Sequence, residues 1–194
     1  MGKIYYWGPL LYHTKVKEED LKSLSKLCIR DEKNNFEKAL VGHFKTEYQI
    51  NTPAYTKIIE KYFEGFSKAH EHWYSKNYKG LSCEKAWVNF MKAGDYNPPH
   101  IHINCDYSSV LYLSVPDEIH EEAKQSKGVN GYHGGPGSIM FLYGEHGEGL
   151  ITDKYFMPVA GDFFIFPAHL RHVVSPFKSS VERVSIAANF KKEK

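Results

Sequence analysis

Several large classes of protein are excluded by what this chain lacks. Its three cysteines, Cys28, Cys83 and Cys105, are an odd number at spacings that fit neither a disulfide framework nor a zinc ribbon, so they read as reduced thiols in a cytoplasm. The formal net charge is only +2, and no Lys/Arg block is longer than KKEK at residues 191–194, so the electrostatic footprint of a nucleic-acid partner is missing. No apolar stretch approaches the length a bilayer needs, and no membrane partner is expected. The opening MGKIYYWGPLLYHTK is broken by Gly8 and Pro9 and has no small-residue cleavage site, so it does not read as a signal peptide. Tyr6 stands where a myristoylation site needs Ser or Thr. Internal repeats and low-complexity segments are absent as well.

What is present suits one domain over residues 1–194, since 42% hydrophobic and 25% charged residues in a chain of this length can build a sizeable core. Its first part, about 1–80, reads as helical. From Lys17 to Arg30, Leu21, Leu24, Leu27 and Cys28 share one stripe behind an acidic first turn. From Pro53 to Lys76, Ile58, Ile59, Tyr62, Phe63, Phe66 and Trp73 predict a second, longer helix, started by Asn51 and Thr52. Past Gly80 the pattern changes to short alternating runs, KAWVNFM, PHIHIN, SVLYLSV, GSIMFLY, YFMPV, DFFIFPA, HVVSPF and ERVSIAANF, separated by Gly, Pro, Asp and Asn. Seven or eight strands over about 81–190 predict a mainly β jelly roll with helices packed outside one sheet. The polar, glycine-rich insert from Pro116 to Gly137 is too long for a turn and reads either as a mobile lid or as a disordered surface insertion.

Within NPPHIHIN, His100 and His102 differ by two, which on a strand puts both imidazoles on one face about 7 Å apart along the backbone. The same spacing at His70 and His72 lies in a helical stretch, where residues two apart point about 200° away from one another, so that pair reads as surface. His13, His43, His120, His133 and His146 carry no spacing signal. A third ligand is offered by GDFFIFPAHLRHVV: His172 opens a β-rich run, whereas His169 falls in the turn, so His172 is the better ligand. Three imidazoles favour iron, zinc, copper or nickel over calcium or magnesium and leave coordination positions open for catalysis. Asp106 in INCDYSS is the nearest carboxylate that could complete or alter the set. Eleven residues past His172, Arg183 and Ser185 share a strand face while Val184 and Ile186 fill the other; an inward arginine calls for an anion, which its planar fork can grip bidentately.

In this order and spacing the stretch from Trp87 to Phe190 resembles the iron(II)- and 2-oxoglutarate-dependent oxygenases on the double-stranded β-helix. It is closest in pattern to a small bacterial and phage family with H-x-H where most of that class carry H-x-D. The resemblance implies that His100, His102 and His172 hold Fe(II), and that Arg183 and Ser185 hold the distal carboxylate of 2-oxoglutarate. Asn89 on WVNFM would contact the same cosubstrate, with Tyr112 in LYLS a further candidate. Molecular oxygen would be consumed, 2-oxoglutarate decarboxylated to succinate, and an unidentified small-molecule or peptide substrate hydroxylated, against a dry wall from Phe163, Phe164 and Phe166. Ser109 stands where the family usually shows glycine, with consequences for how closely a substrate approaches that strand. A homodimer is left open, and the cytoplasm would be the host's if the chain comes from a phage. GDYNPPHIHINCD and GDFFIFPAHLRH also fit the two cupin motifs, with Asp106 as the acid, so a cupin-type dioxygenase, isomerase or small-molecule-binding protein is the alternative. A jelly-roll interaction module without activity is a third class. Arg183 separates the first two, because a cupin has no need of an inward arginine followed by a serine two residues on.

Overall fold

The computed structural model describes residues 2–5, 8–36, 41–43, 46–74, 78–126, 134–145 and 152–193. In chain order these form β1 (Lys3–Tyr5), β2 (Leu11–Lys15), α1 (Glu18–Ser25), β3 (Glu47–Gln49), α2 (Thr52–Ile59), α3 (Phe63–Tyr74), β4 (Leu81–Met91), β5 (Asn97–His100), β6 (Tyr107–Ser114), α4 (Asp117–Gln125), β7 (Ile139–Leu142), β8 (Asp153–Phe156), β9 (Asp162–Pro167), β10 (Arg171–Val174) and β11 (Arg183–Lys192). The strands make two antiparallel sheets, a large one in the order β1-β2-β9-β6-β11-β4-β3 and a small one in the order β5-β10-β7-β8. Two layers of apolar side chains follow from the period-2 alternation of the central strands. Ile186, Ala188 and Phe190 of β11, with Phe163 and Ile165 of β9, face α1, α2 and α3. Phe164 and Phe166 of β9, with Val110 and Tyr112 of β6, face Phe141 and Val174 of the small sheet. This is the jelly roll expected from the strand pattern.

The N-terminal part differs from its helical reading. β1, β2 and β3 extend the large sheet at both ends, β2 beside β9 and β3 beside β4. Two of these strands are three residues long, too short for alternation to show, and they exist because the sheet's open edges supply their hydrogen-bond partners. The helix expected from Pro53 to Lys76 is divided by a 3-10 turn at Glu60–Tyr62. Both Lys61 and Tyr62 of that turn donate to the Asp20 carboxylate of α1, which ties the helices together. His70, expected at the surface, is buried: it continues the stripe of Phe63 and Phe66 at helical spacing and packs against Phe66, Tyr78 and Tyr107. His72 is exposed. The first half of the 116–137 insert is the helix α4, anchored by buried Ile119 and by Glu122, whose carboxylate accepts from the backbone N–H groups of Lys178 and Ser179 at 2.8–2.9 Å. Residues 127–133 of the insert, His133 included, lie outside the described residues, as does His146. Among the described residues no helix is long and apolar enough to cross a membrane.

Phe66 locks the helices to the sheet. It is wholly buried and meets Tyr12, Tyr78 and Tyr107 edge to face with centroids 5.0–5.9 Å apart. Phe66→Ala is expected to cost about 3–5 kcal/mol, read as a lower urea midpoint with the slope of the transition unchanged. Because Phe66 lies on the far side of the large sheet from His100 and His172, the fraction that remains folded should bind metal as the wild type does.

Candidate functional site

His100 and His172 face one another as register partners of β5 and β10, which places their ring centroids 4.1 Å apart. His102 joins them at 5.3 and 5.2 Å, its ring nearly parallel to that of His172 and tilted against Trp87 at 5.9 Å. One nitrogen from each ring falls within 4.8 Å of the others, the spacing of donors that could hold a single metal ion. Tautomers follow from the neighbours. His100 Nδ1 lies 2.8 Å from the Pro98 carbonyl and His172 Nδ1 2.9 Å from the Leu170 carbonyl. A carbonyl only accepts, so Nδ1 carries the proton in both rings and the Nε2 lone pairs are left for a metal. Burial holds all three imidazoles below their ordinary pKa, His102 at about 4 with a further push from His100, and His172 well below 6.5. They are therefore neutral imidazoles at neutral pH.

The three rings open onto a cavity of about 560 Å³ between the sheets, whose floor is the inner face of β3, β4, β11 and β6. One row of that floor reads Glu47, Asn89, Ser185, Tyr112, each residue opposite the next across the ladder. Beside Ser185 in the alternation lies Arg183, 1% exposed, with Nη1 donating to the Gly137 carbonyl at 2.8 Å and Nη2 reaching Met91 Sδ at 2.6 Å. Its guanidinium sits 5.4 Å from the Tyr112 ring centroid. Burial lowers the Arg183 pKa, and among the described residues no carboxylate pairs with it. The Tyr112 phenol is pushed up to about 12 by burial, so it remains a protonated donor. Arg183 Nε, Asn89 Oδ1 and Tyr112 Oη are buried without a hydrogen-bond partner, an arrangement expected of a site shaped for a polar ligand.

Other expectations are corrected. His102 does not sit on a strand: β5 ends at His100, and the His102 backbone N–H donates to the Ala168 carbonyl at 2.8 Å, which bends the chain so that the ring still reaches its partners. Asp106 is exposed, accepts from the Lys192 backbone N–H at 2.8 Å, and lies outside the histidine group, so the acid required by the cupin alternative is not at this centre. Ser109 pairs with Ile165 and Ala188 of the helix-facing layer and lies beside Tyr55, and it also borders the cavity. Phe163 also turns to the helices, leaving Phe164 and Phe166 inward. His169 is exposed in the turn before β10, as its sequence position suggested. Of the isolated histidines, His13 stacks on Phe164 at 4.4 Å and meets Asp162 at 2.6 Å, a bond that joins β2 to β9 away from the cavity. Sequence reasoning missed Asn97, Glu47 and Trp87 as lining residues. Trp87 could have been found from its alternation with Asn89, whereas Glu47 depends on the unforeseen β3.

Comparison with known proteins points the same way. A family model described as "Putative 2OG-Fe(II) oxygenase" matches residues 85–189, more than half of the chain. No curated protein matches the sequence. Among solved structures, the chain is similar to a Pseudomonas putida prolyl-4-hydroxylase at 15% identity and TM-score 0.56, over 95% of this chain and 93% of that one. It is also similar to the viral collagen prolyl hydroxylase of Paramecium Bursaria Chlorella virus-1 in complex with 2OG, at 14% identity and TM-score 0.57, over 94% and 96%. The non-heme alpha ketoglutarate dependent epimerase SnoN from nogalamycin biosynthesis matches at 12% identity and TM-score 0.55, over 93% and 76%. At such identities the likeness speaks for a shared fold, the double-stranded β-helix.

Two outcomes are expected of the histidines. His172→Ala should lose bound metal while His169→Ala keeps it, as metal analysis of the purified variants will show; equal losses would contradict the assignment. For the metal-free protein, the lowered imidazole pKa values mean that the unfolded chain binds more protons than the folded one as the pH falls from 6.5 towards about 4. Stability should therefore drop through that window, and thermal melts should show a smaller drop in His102→Gln.

Proposed function

The chain belongs to the 2OG-Fe(II) oxygenase family, and we propose that it is a hydroxylase acting on a C–H bond of a small-molecule or peptide substrate. Bound at this site, Fe(II) with 2-oxoglutarate and O2 would supply a two-electron oxidation in which the cosubstrate is decarboxylated to succinate. The observation that carries the reading is Arg183, a buried guanidinium with no counter-ion among the described residues, lining the same cavity as three convergent imidazoles. A buried charge left unpaired is strongly destabilising, and a dicarboxylate bridging from the metal to the arginine would remove that cost.

His100, His102 and His172 would hold the iron, the first and last through Nε2 lone pairs already oriented by the Pro98 and Leu170 carbonyls. Because their pKa values are lowered, no proton must leave before the metal binds at neutral pH. His102 takes the place of a carboxylate, so the protein adds no negative charge to the metal and the cosubstrate supplies all of it. Arg183 and Ser185 would grip the distal carboxylate, while Asn89 and Tyr112, flanking Ser185 on either side, contact its chain. Phe141, Phe164 and Phe166 exclude water behind the histidines. The cavity's outer rim carries exposed Val41, Ile101 and Ile103, an apolar lip that favours a substrate with hydrocarbon next to the oxidised carbon.

Anaerobic titration tests the proposal. Addition of Fe(II) and then 2-oxoglutarate should produce a metal-to-ligand charge-transfer band, and Arg183→Ala should need roughly 10- to 100-fold more 2-oxoglutarate for half of the signal, the range for a lost charge-assisted hydrogen bond. No band in the wild-type protein would refute the reading.

A further inference from the structure

A side chain without an assigned role stands at the head of the same strand as His100. In a regular strand, residues three apart point to opposite faces, so Asn97 and His100 should not share one. They do here, because the pairing of β5 with β10 slips. His172 is opposite His100 and Val174 is opposite Asn97, so Pro98 and Pro99 on β5 stand against Val173 alone on β10. Such a bulge re-aims a side chain. Pro98 and Pro99 occupy the extra length, their fixed φ suits an irregular edge, and the Pro98 carbonyl is the one that orients His100. Asn97 consequently turns inward with Val174 and lines the cavity from the small sheet, its Oδ1 buried and without a partner.

We propose that Asn97 is a cosubstrate-positioning residue, its carboxamide closing on the distal carboxylate of 2-oxoglutarate from the sheet opposite Arg183 and Ser185; this rests on the oxygenase reading above. Place along the cavity supports that end rather than the other. Asn97 follows Met91 after a short turn, and Met91 is the register partner of Arg183, whereas the chain beyond His100 leads to the exposed mouth at Ile101 and Ile103. The chemistry supports it too. An ionised carboxylate offers about four lone-pair sites, whereas one edge of the Arg183 fork presents only two N–H groups to it; one N–H of Nη1 is held by the Gly137 carbonyl and one of Nη2 faces Met91 Sδ, while Nε–H has no partner. Ser185 adds one donor, and a carboxamide rotated by half a turn adds an NH2 without adding charge.

The test measures binding rather than turnover, in anaerobic Fe(II)-loaded protein, with two ligands: 2-oxoglutarate, and 2-oxopentanoate, which has the same chain without the distal carboxylate. Asn97→Ala should bind 2-oxoglutarate about tenfold more weakly, the loss of one hydrogen bond to a charged group, and 2-oxopentanoate as the wild type does. Asn97→Asp, which sets a like charge against the carboxylate, should lose more affinity for 2-oxoglutarate than Asn97→Ala and still bind 2-oxopentanoate. Unchanged affinity of Asn97→Ala for 2-oxoglutarate, or equal weakening for both ligands, would overturn the inference. A wild-type protein that binds neither ligand would overturn the oxygenase reading and this inference together.

Discussion

Arg183 imposes the constraint around which the interior is arranged. A guanidinium cannot shed its charge, so once removed from water it must be met by dipoles, by a π face or by an anion. The chain provides the first two through the Gly137 carbonyl, the Met91 sulfur and the Tyr112 ring, and leaves the third to what enters the cavity. β11 can carry such a residue only because it is central in the large sheet, bonded to β4 on one side and β6 on the other. The ladders on both sides fix the strand, and the fixed strand fixes the arginine. The helices complete the arrangement from outside, burying Ile186, Ala188 and Phe190 on the reverse face of the same strand.

The histidine half of the cavity depends on a different arrangement. Two of its imidazoles come from paired strands of the small sheet and the third from the segment just beyond β5. Hydrogen bonds from the His102 N–H to Ala168 and from the Ala168 N–H to Asp106 tie that segment to the end of β9, so the two sheets are stitched together within a few residues of the rings. A rigid junction there limits how far the donors can separate when no ion is present.

Much of this was legible in the residues. Alternation in ERVSIAANF placed Arg183 and Ser185 inward and Ile186 outward because β11 is long, and over ten residues a period of two is unambiguous. His172 was preferred to His169 on strand grammar; in the structure His172 stands in β10 opposite His100, and His169 is exposed in the preceding turn. What escaped was short or set by tertiary contacts. β1 and β3 carry three residues each, a length at which no period exists, and the 3-10 turn in the long helix follows from the bonds of Lys61 and Tyr62 to Asp20 on another element. His70 was misjudged because two histidines were compared with each other rather than with the apolar stripe that one of them extends. Asn97 was hidden by a register slip, which alternation alone does not reveal.

The bonds that orient His100 and His172 end on main-chain carbonyls, those of Pro98 and Leu170, each two residues upstream of the ring it holds. Orientation of these two rings is thus encoded in backbone path rather than in any neighbouring side chain. Sequence drift around the centre can change size, polarity or charge at nearby positions and still leave both rings presenting the same nitrogen. Presentation of the two nitrogens is thereby separated from the identity of the side chains that form the surrounding walls.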